Sequence, residues 1–132
     1  MGKSLLFAIP LLLVAGLAQA DTRIGKWKAT LDTEEEGAWK VTKEKRQTKL
    51  TFSVTARHTS DDDVGKNIEM WCQVERQNEK GEWEWVAGAF YRKTCSVDVP
   101  TAIGTYRLHL TNGILSSRAE FTIELHQGLT EG

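Results

Sequence analysis

The chain reads as all-β: a single antiparallel β-sandwich of seven or eight short strands, tied by one disulfide. Three observations predict this. Apolar and polar side chains alternate with a period of two from Leu50 to Leu125, whereas helical periodicity is nearly absent. Turn-forming clusters break that alternation every eight to twelve residues, the spacing of a sandwich. The only two cysteines, Cys72 and Cys95, both fall in strand-like surroundings.

The first twenty residues stand apart from the pattern. Lys3 supplies a positive n-region, Leu5 to Leu17 is an apolar run broken only by Pro10 and Gly16, and Ala18-Gln19-Ala20 has the small-x-small form of a signal-peptidase site. Residues 1–20 are therefore expected to be a cleaved signal peptide, residues 21–132 one domain, and the protein exported to a periplasm or the extracellular space. The apolar run is shorter than the roughly twenty residues a bilayer anchor needs, and no later segment approaches that length. Beyond the leader, 112 residues carry 16 basic and 18 acidic side chains, with about 35% apolar. That balance argues against a nucleic-acid binder relying on overall positive charge, a multi-domain enzyme or a disordered acidic tail.

Export gives the cysteines a meaning. An oxidising compartment favours pairing of Cys72 with Cys95, and closing a loop of about 24 residues stabilises by roughly 3 kcal/mol in the chain-entropy model. The spacing is not Cys-x-x-Cys, so a structural bridge is expected rather than a redox pair.

Taken in order, Ile24 to Leu31 forms a strand with Trp27, Ala29 and Leu31 inward. An acidic turn follows at Asp32, Glu34, Glu35 and Glu36. Trp39 and Val41 mark a short edge strand, within a basic segment of Lys40, Lys43, Lys45, Arg46 and Lys49. Leu50, Phe52, Val54 and Ala56 line one face of a half-buried strand. Ile68, Met70, Cys72 and Val74 form another, and after Asn78-Glu79-Lys80-Gly81 the alternation resumes at Trp83, Trp85, Ala87 and Ala89, predicting a hairpin. Pairing Gln77 with Glu82 sets Cys72 opposite Ala87, Val74 opposite Trp85 and Met70 opposite Ala89, all facing the core. Trp83 and Trp85 are thus expected in the core, with Trp85 beside the disulfide. Cys95, Val97 and Val99 make a short strand ended by Pro100. Tyr106, Leu108 and Leu110 precede Asn112-Gly113, and Ala119, Phe121, Ile123 and Leu125 follow it, predicting a second hairpin. A longer loop reaching Ser116 is preferred because it sets Arg107 opposite Glu120. His126 to Gly132 reads as a frayed tail.

The run Val99-Pro100-Thr101-Ala102-Ile103-Gly104-Thr105-Tyr106-Arg107-Leu108, with the alternating strand after it, resembles the closing strands of immunoglobulin-like and fibronectin type III-like sandwiches. The resemblance covers roughly Lys49 to Leu125 and is one of fold. It implies that Tyr106 forms a corner tying the preceding loop. Antibody-type domains place their cysteines where this chain has Phe52 or Val54 and Leu108, so the resemblance does not extend to antigen recognition.

Catalytic constellations are sparse. His58, His109 and His126 occur singly, without zinc-site spacing. No Gly-x-Ser-x-Gly turn or phosphate-cradling glycine loop is present. No cofactor or metal is expected, and the protein is expected not to be an enzyme. Asp61-Asp62-Asp63 offers three carboxylates but lacks the calcium-loop pattern, so loop solvation is the expected role. The basic segment reads as a charged edge that blocks strand-to-strand aggregation, with an anionic envelope surface or glycan as alternative.

The outward patch carries more. The expected register puts Trp71, Val86 and Phe90 on the solvent side, with Arg107 and His109 joining from the neighbouring strand. Tryptophan and arginine on an exposed sheet are the composition of an interface centre. These five are the candidate binding residues, for a protein partner or a second copy of the chain. A carbohydrate-binding module is the alternative, and a small hydrolase a more remote one.

Overall fold

The computed structural model describes residues 22–60, 68–114 and 116–129. Eight strands succeed one another: β1 (Thr22–Leu31), β2 (Glu36–Lys43), β3 (Thr48–His58), β4 (Glu69–Gln77), β5 (Trp83–Arg92), β6 (Thr94–Asp98), β7 (Gly104–Asn112) and β8 (Ala119–Leu129). They form two four-stranded sheets, ordered β1-β8-β3-β6 and β2-β7-β4-β5, with every pair antiparallel. The chain thus folds as the antiparallel sandwich its alternation predicts, with the expected fold-level likeness to immunoglobulin-like domains. Its strand order is that of a double-sheet jelly roll, because the chain keeps crossing between sheets. Only β4 and β5 are neighbours both in sequence and in a sheet.

Alternation dictates the core. In the first sheet Trp27 pairs with Ile123 and Ala29 with Phe121, while Val54 pairs with Ile123 on one side and Cys95 on the other. In the second, Trp39 pairs with Leu108 and Leu108 with Val74, while Leu110 pairs with Cys72. Phe52, Phe121, Ile123, Met70, Tyr106 and Leu108 are fully buried where the inner faces meet. Each such side chain contributes about 1.5–3 kcal/mol by leaving water. The Cys72–Cys95 disulfide joins β4 of one sheet to β6 of the other, and so clamps the sandwich across its core. The Tyr106 hydroxyl donates to the Ala102 carbonyl at 2.8 Å, which is the corner the resemblance implies.

Three local expectations are corrected. First, Asn112-Gly113 does not close a hairpin, because β7 and β8 lie in different sheets. A two-residue hairpin turn needs positive φ, which neither residue adopts. Instead the Asn112 carboxamide donates to the carbonyls of Leu31, Asp32 and Ser117, and Gly113 N–H donates to Glu69 O. The segment is a crossing between sheets, and Glu120 accordingly pairs with Arg57 at 2.7 Å rather than with Arg107.

Second, the β4–β5 hairpin closes differently. The Asn78 side-chain oxygen accepts from the N–H groups of both Lys80 and Glu82 at 2.9 Å, and Gly81 takes a φ of 84°. Gln77 therefore pairs with Trp83, Arg76 with Glu84 and Glu75 with Trp85. A bulge follows: Val86 is left over, and the register resumes with Val74 opposite Ala87, Cys72 opposite Ala89 and Trp71 opposite Phe90. Third, His126 is not in a frayed tail; β8 continues to Leu129, pairing with both β1 and β3.

The expected β1 and β2 strands both form, with β2 at an edge of the second sheet. Its basic segment is not uniformly solvated. Lys43 is buried, and its Nζ donates to the carbonyls of Lys45 and Arg46. Burial, then the nearby Arg46 charge, lowers the Lys43 amine below its usual value. Lys40 on β2, Lys45 and Arg46 just after it, and Lys49 on β3 remain exposed. The leader and Asp61-Asp62-Asp63 lie outside the described residues.

Candidate functional site

The bulge at Val86 decides what the outer face of the second sheet displays. On β4 the core positions are Met70, Cys72 and Val74, so Trp71, Gln73 and Glu75 alternate to the outer face, where Glu75 is nonetheless buried beneath its neighbours. Without a bulge, Trp83 and Trp85 would share a face with Ala87. With it, they lie opposite Gln77 and Glu75 and join Phe90 on the outside. Trp85 is 59% exposed and Phe90 is 67% exposed, while Trp83 is half-buried. The expectation that Trp83 and Trp85 are core residues is therefore overturned. An isolated glycine within a strand pattern signals a bulge, and Gly88 was that signal.

Gly88 has no room for a side chain. A Cβ there would sit 2.3 Å from the Cys72 carbonyl oxygen and 2.6 Å from Gln73 Cα, at a φ of 151°. Its absence lets β5 approach the β4 backbone closely at Cys72 and Gln73.

The floor of this face is a continuous polar network. Trp71 Nε1 donates to Gln73 Oε1, and Gln73 Nε2 donates to Glu75. Arg107 Nε donates to Glu75 Oε1 at 2.5 Å, and its guanidinium stacks on the Trp83 ring at 4.4 Å. His109 lies 2.6 Å from Glu36 through Nε2, and 3.4 Å from both Gln73 and Glu75 through Nδ1. Burial alone would raise the Glu75 carboxyl, but hydrogen bonds from Arg107 and Gln73, with the charges of Arg107 and His109, hold it below the ordinary carboxylate range. Such a network fixes side chains that would otherwise need ordering when a partner arrives.

Of the five residues singled out from sequence, Trp71, Phe90, Arg107 and His109 share this face; Val86 sits half-buried in the bulge. Trp71 and Phe90 meet edge to face, with centroids 4.6 Å apart and planes at 70°. Sequence reasoning missed Trp83, Trp85, Gln73, Glu75 and Glu36, which complete the face. At one end it opens into a groove of about 790 Å³, bounded by Trp71, Phe90, Glu36, Glu69 and the Asn112 to Ile114 crossing. Both cysteines are consumed in the disulfide. Among the described residues, no group of three His, Cys, Asp or Glu side chains is placed to hold a metal ion, and no helix is long and apolar enough to cross a membrane.

Comparison with known proteins supports the architecture. No protein-family model matches the chain, and no curated protein sequence matches it. Among solved structures, the PBSX exported protein XepA superposes with a TM-score of 0.55 at 16% identity, over 88% of this chain and 39% of that one. The Aeromonas hydrophila protein PliG, a periplasmic inhibitor of g-type lysozyme, gives 0.48 at 11% identity, over 78% of this chain and 84% of its own. The CBM22-1 xylan-binding domain of Paenibacillus barcinonensis Xyn10C gives 0.42 at 13% identity, over 86% and 88%. At 16% identity the likeness to XepA shows the fold alone, and the two weaker superpositions carry no weight beside it.

Proposed function

We propose that this chain is an exported, non-catalytic interaction module, periplasmic or secreted, that binds a protein partner through the outer face of the β2-β7-β4-β5 sheet. One observation carries the reading: Trp71, Phe90, Trp83 and Trp85 share that face, with Arg107 stacked on Trp83 and paired to Glu75. Aromatic and arginine side chains dominate interface energetics because they bury large area for little lost rotamer freedom. Export is supported by the leader pattern at residues 1–20 and by a disulfide that an oxidising compartment maintains.

The test places a photo-crosslinking side chain at position 85 or 90 in the exporting cell, with position 53 or 122 of the opposite sheet as control. Protein adducts confined to the aromatic face support the reading. Equal adducts from both faces, or none, overturn it. Sedimentation of the purified chain reports whether the adduct partner is a second copy.

A glycan ligand is the second reading, favoured by the outward turn of Trp83 and Trp85. The 70° angle between Trp71 and Phe90 weighs against it, since a flat sugar ring stacks on coplanar platforms. Tryptophan emission unchanged by an oligosaccharide panel would remove the glycan reading; a change abolished by Trp85→Ala would establish it over the protein reading.

A further inference from the structure

Resting on the protein-binding reading, we propose that the groove at the Trp71 end receives a basic loop of the partner. A lysine or arginine side chain would lie against the Trp71 and Phe90 rings, among the carboxylates of Glu34, Glu36 and Glu69. The groove is about 790 Å³, within the range of built ligand sites and roomier than one side chain needs. It therefore fits a short segment of chain.

Charge complementarity selects the occupant. Glu34, Glu36 and Glu69 line the groove, and Arg92 is the one lysine or arginine among the lining residues. Arg92 is a weak counter-ion, since its guanidinium is 3.9 Å from Glu69 and its side chain is 73% exposed. An anionic segment would meet repulsion, whereas a cation gains from the carboxylates and from the ring faces together. Cation–π attraction acts within about 6 Å of a ring centroid and strengthens as water is excluded. The edge-to-face packing of Trp71 and Phe90 sets two ring planes at an angle, which gives the cation two walls. Ile114, 70% exposed on the crossing, offers apolar surface for the methylene stem of the incoming side chain.

The backbone that carries these carboxylates is also ordered beforehand, and the Glu36 carboxylate is itself held. Glu34 sits at a φ of 66°, in a turn whose backbone is clamped to β7: Glu34 N–H donates to Asn112 O at 3.0 Å, and Asn112 N–H to Glu35 O at 2.9 Å. His109 Nε2 holds Glu36 at 2.6 Å. Gly113, the floor of the crossing, packs against the Glu69 backbone so closely that a Cβ would come within 2.7 Å of its carbonyl oxygen. A groove whose walls are already ordered loses little entropy on binding.

The probe is pentalysine, with its fully Nζ-acetylated form as the uncharged control, titrated into the exported chain while tryptophan emission is followed. Pentalysine should give a saturable change and the acetylated peptide none. Glu36→Gln with Glu69→Gln should weaken binding at least tenfold at an unchanged melting temperature, while Glu44→Gln with Glu79→Gln, away from the groove, should leave it intact. If the first pair unfolds the chain, Glu34→Gln, on the exposed turn, replaces it. Equal response to both peptides, or equal loss from the distant pair, overturns the proposal. Crosslinking separates the two readings: adducts at position 90 that persist undiminished in the groove variants sink the basic loop while leaving the interaction face standing, whereas adducts from neither position 85 nor position 90 sink both.

Discussion

Each sheet turns one face to the core and one to solvent, and the two inner faces are built alike from alternating Val, Leu, Ile and Phe. The outer faces differ. Across β1, β8, β3 and β6 the outward side chains include Lys26, Thr122, Ser53 and Ser96, linked by cross-strand pairs such as Arg57–Glu120 and Thr51–Asp98. Across β2, β7, β4 and β5 the same structural positions hold Arg107, Trp71, Glu75, Trp85 and Phe90. Folding demands only that an outer face tolerate water, which threonine and serine do without cost. Aromatic rings on one face and not the other therefore point to a requirement that folding does not impose.

The contrast can be broken by substitution. Gly88→Ala should have the largest effect, about 4 kcal/mol from left-handed strain and overpacking together, read as a lower midpoint in urea. A loss under 1 kcal/mol would mean that β5 does not approach Gln73 so closely. Next, replacing Cys72 and Cys95 together by alanine should cost about 3 kcal/mol for a separation of 23 residues. Because the bridge joins the sheets, amide exchange should rise in both; a rise confined to β6 would contradict the clamp.

Arg107→Ala should cost about 2 kcal/mol at neutral pH by leaving the buried Glu75 carboxylate without its main partner. The sign with pH follows from the depressed folded-state value of Glu75. Its stabilisation is fully present above the unfolded carboxyl value of about 4.3 and is lost as pH falls through the lower folded value. The gap between wild type and Arg107→Ala should therefore close below about pH 4, and a gap constant down to acid pH would show that Glu75 is not its origin.

The smallest stability effects give the sharpest contrast. Trp85→Ala and Ser96→Ala should each change stability by under about 0.5 kcal/mol, as exposed positions do. Only the first should weaken partner binding, by about tenfold or more for an interface anchor. Equal binding losses would mean that the two faces do not differ in function.

Alternation made the inner faces legible. Phe52, Val54, Leu108 and Ile123 are buried because a period of two leaves them no other side, and a one-residue slip would expose them all. Trp71, Phe90, Arg107 and His109 were legible by the same parity, being what the core excluded. Sheet membership was not. Whether Asn112-Gly113 turns back or crosses over depends on the distant carbonyls of Leu31 and Asp32, which no local window contains. Trp83 and Trp85 were misplaced because the alternation was carried through Val86 unbroken, and the clamp of Asn78 on Lys80 and Glu82 shifts the pairing from the other end.

Val86 works as a phase shifter. Upstream of it odd-numbered residues of β5 look outward, and downstream even-numbered ones do, so chain length rather than side-chain chemistry decides which rings reach solvent. Trp85 and Phe90 are five residues apart, an odd separation that a regular strand would split between the two faces; the bulge absorbs Val86 and brings both to the same side. For this face, spacing and bulge thus form one requirement: a chain with five residues from the first ring to the second needs the extra unpaired residue, whereas one with four would show both rings from an unbulged strand.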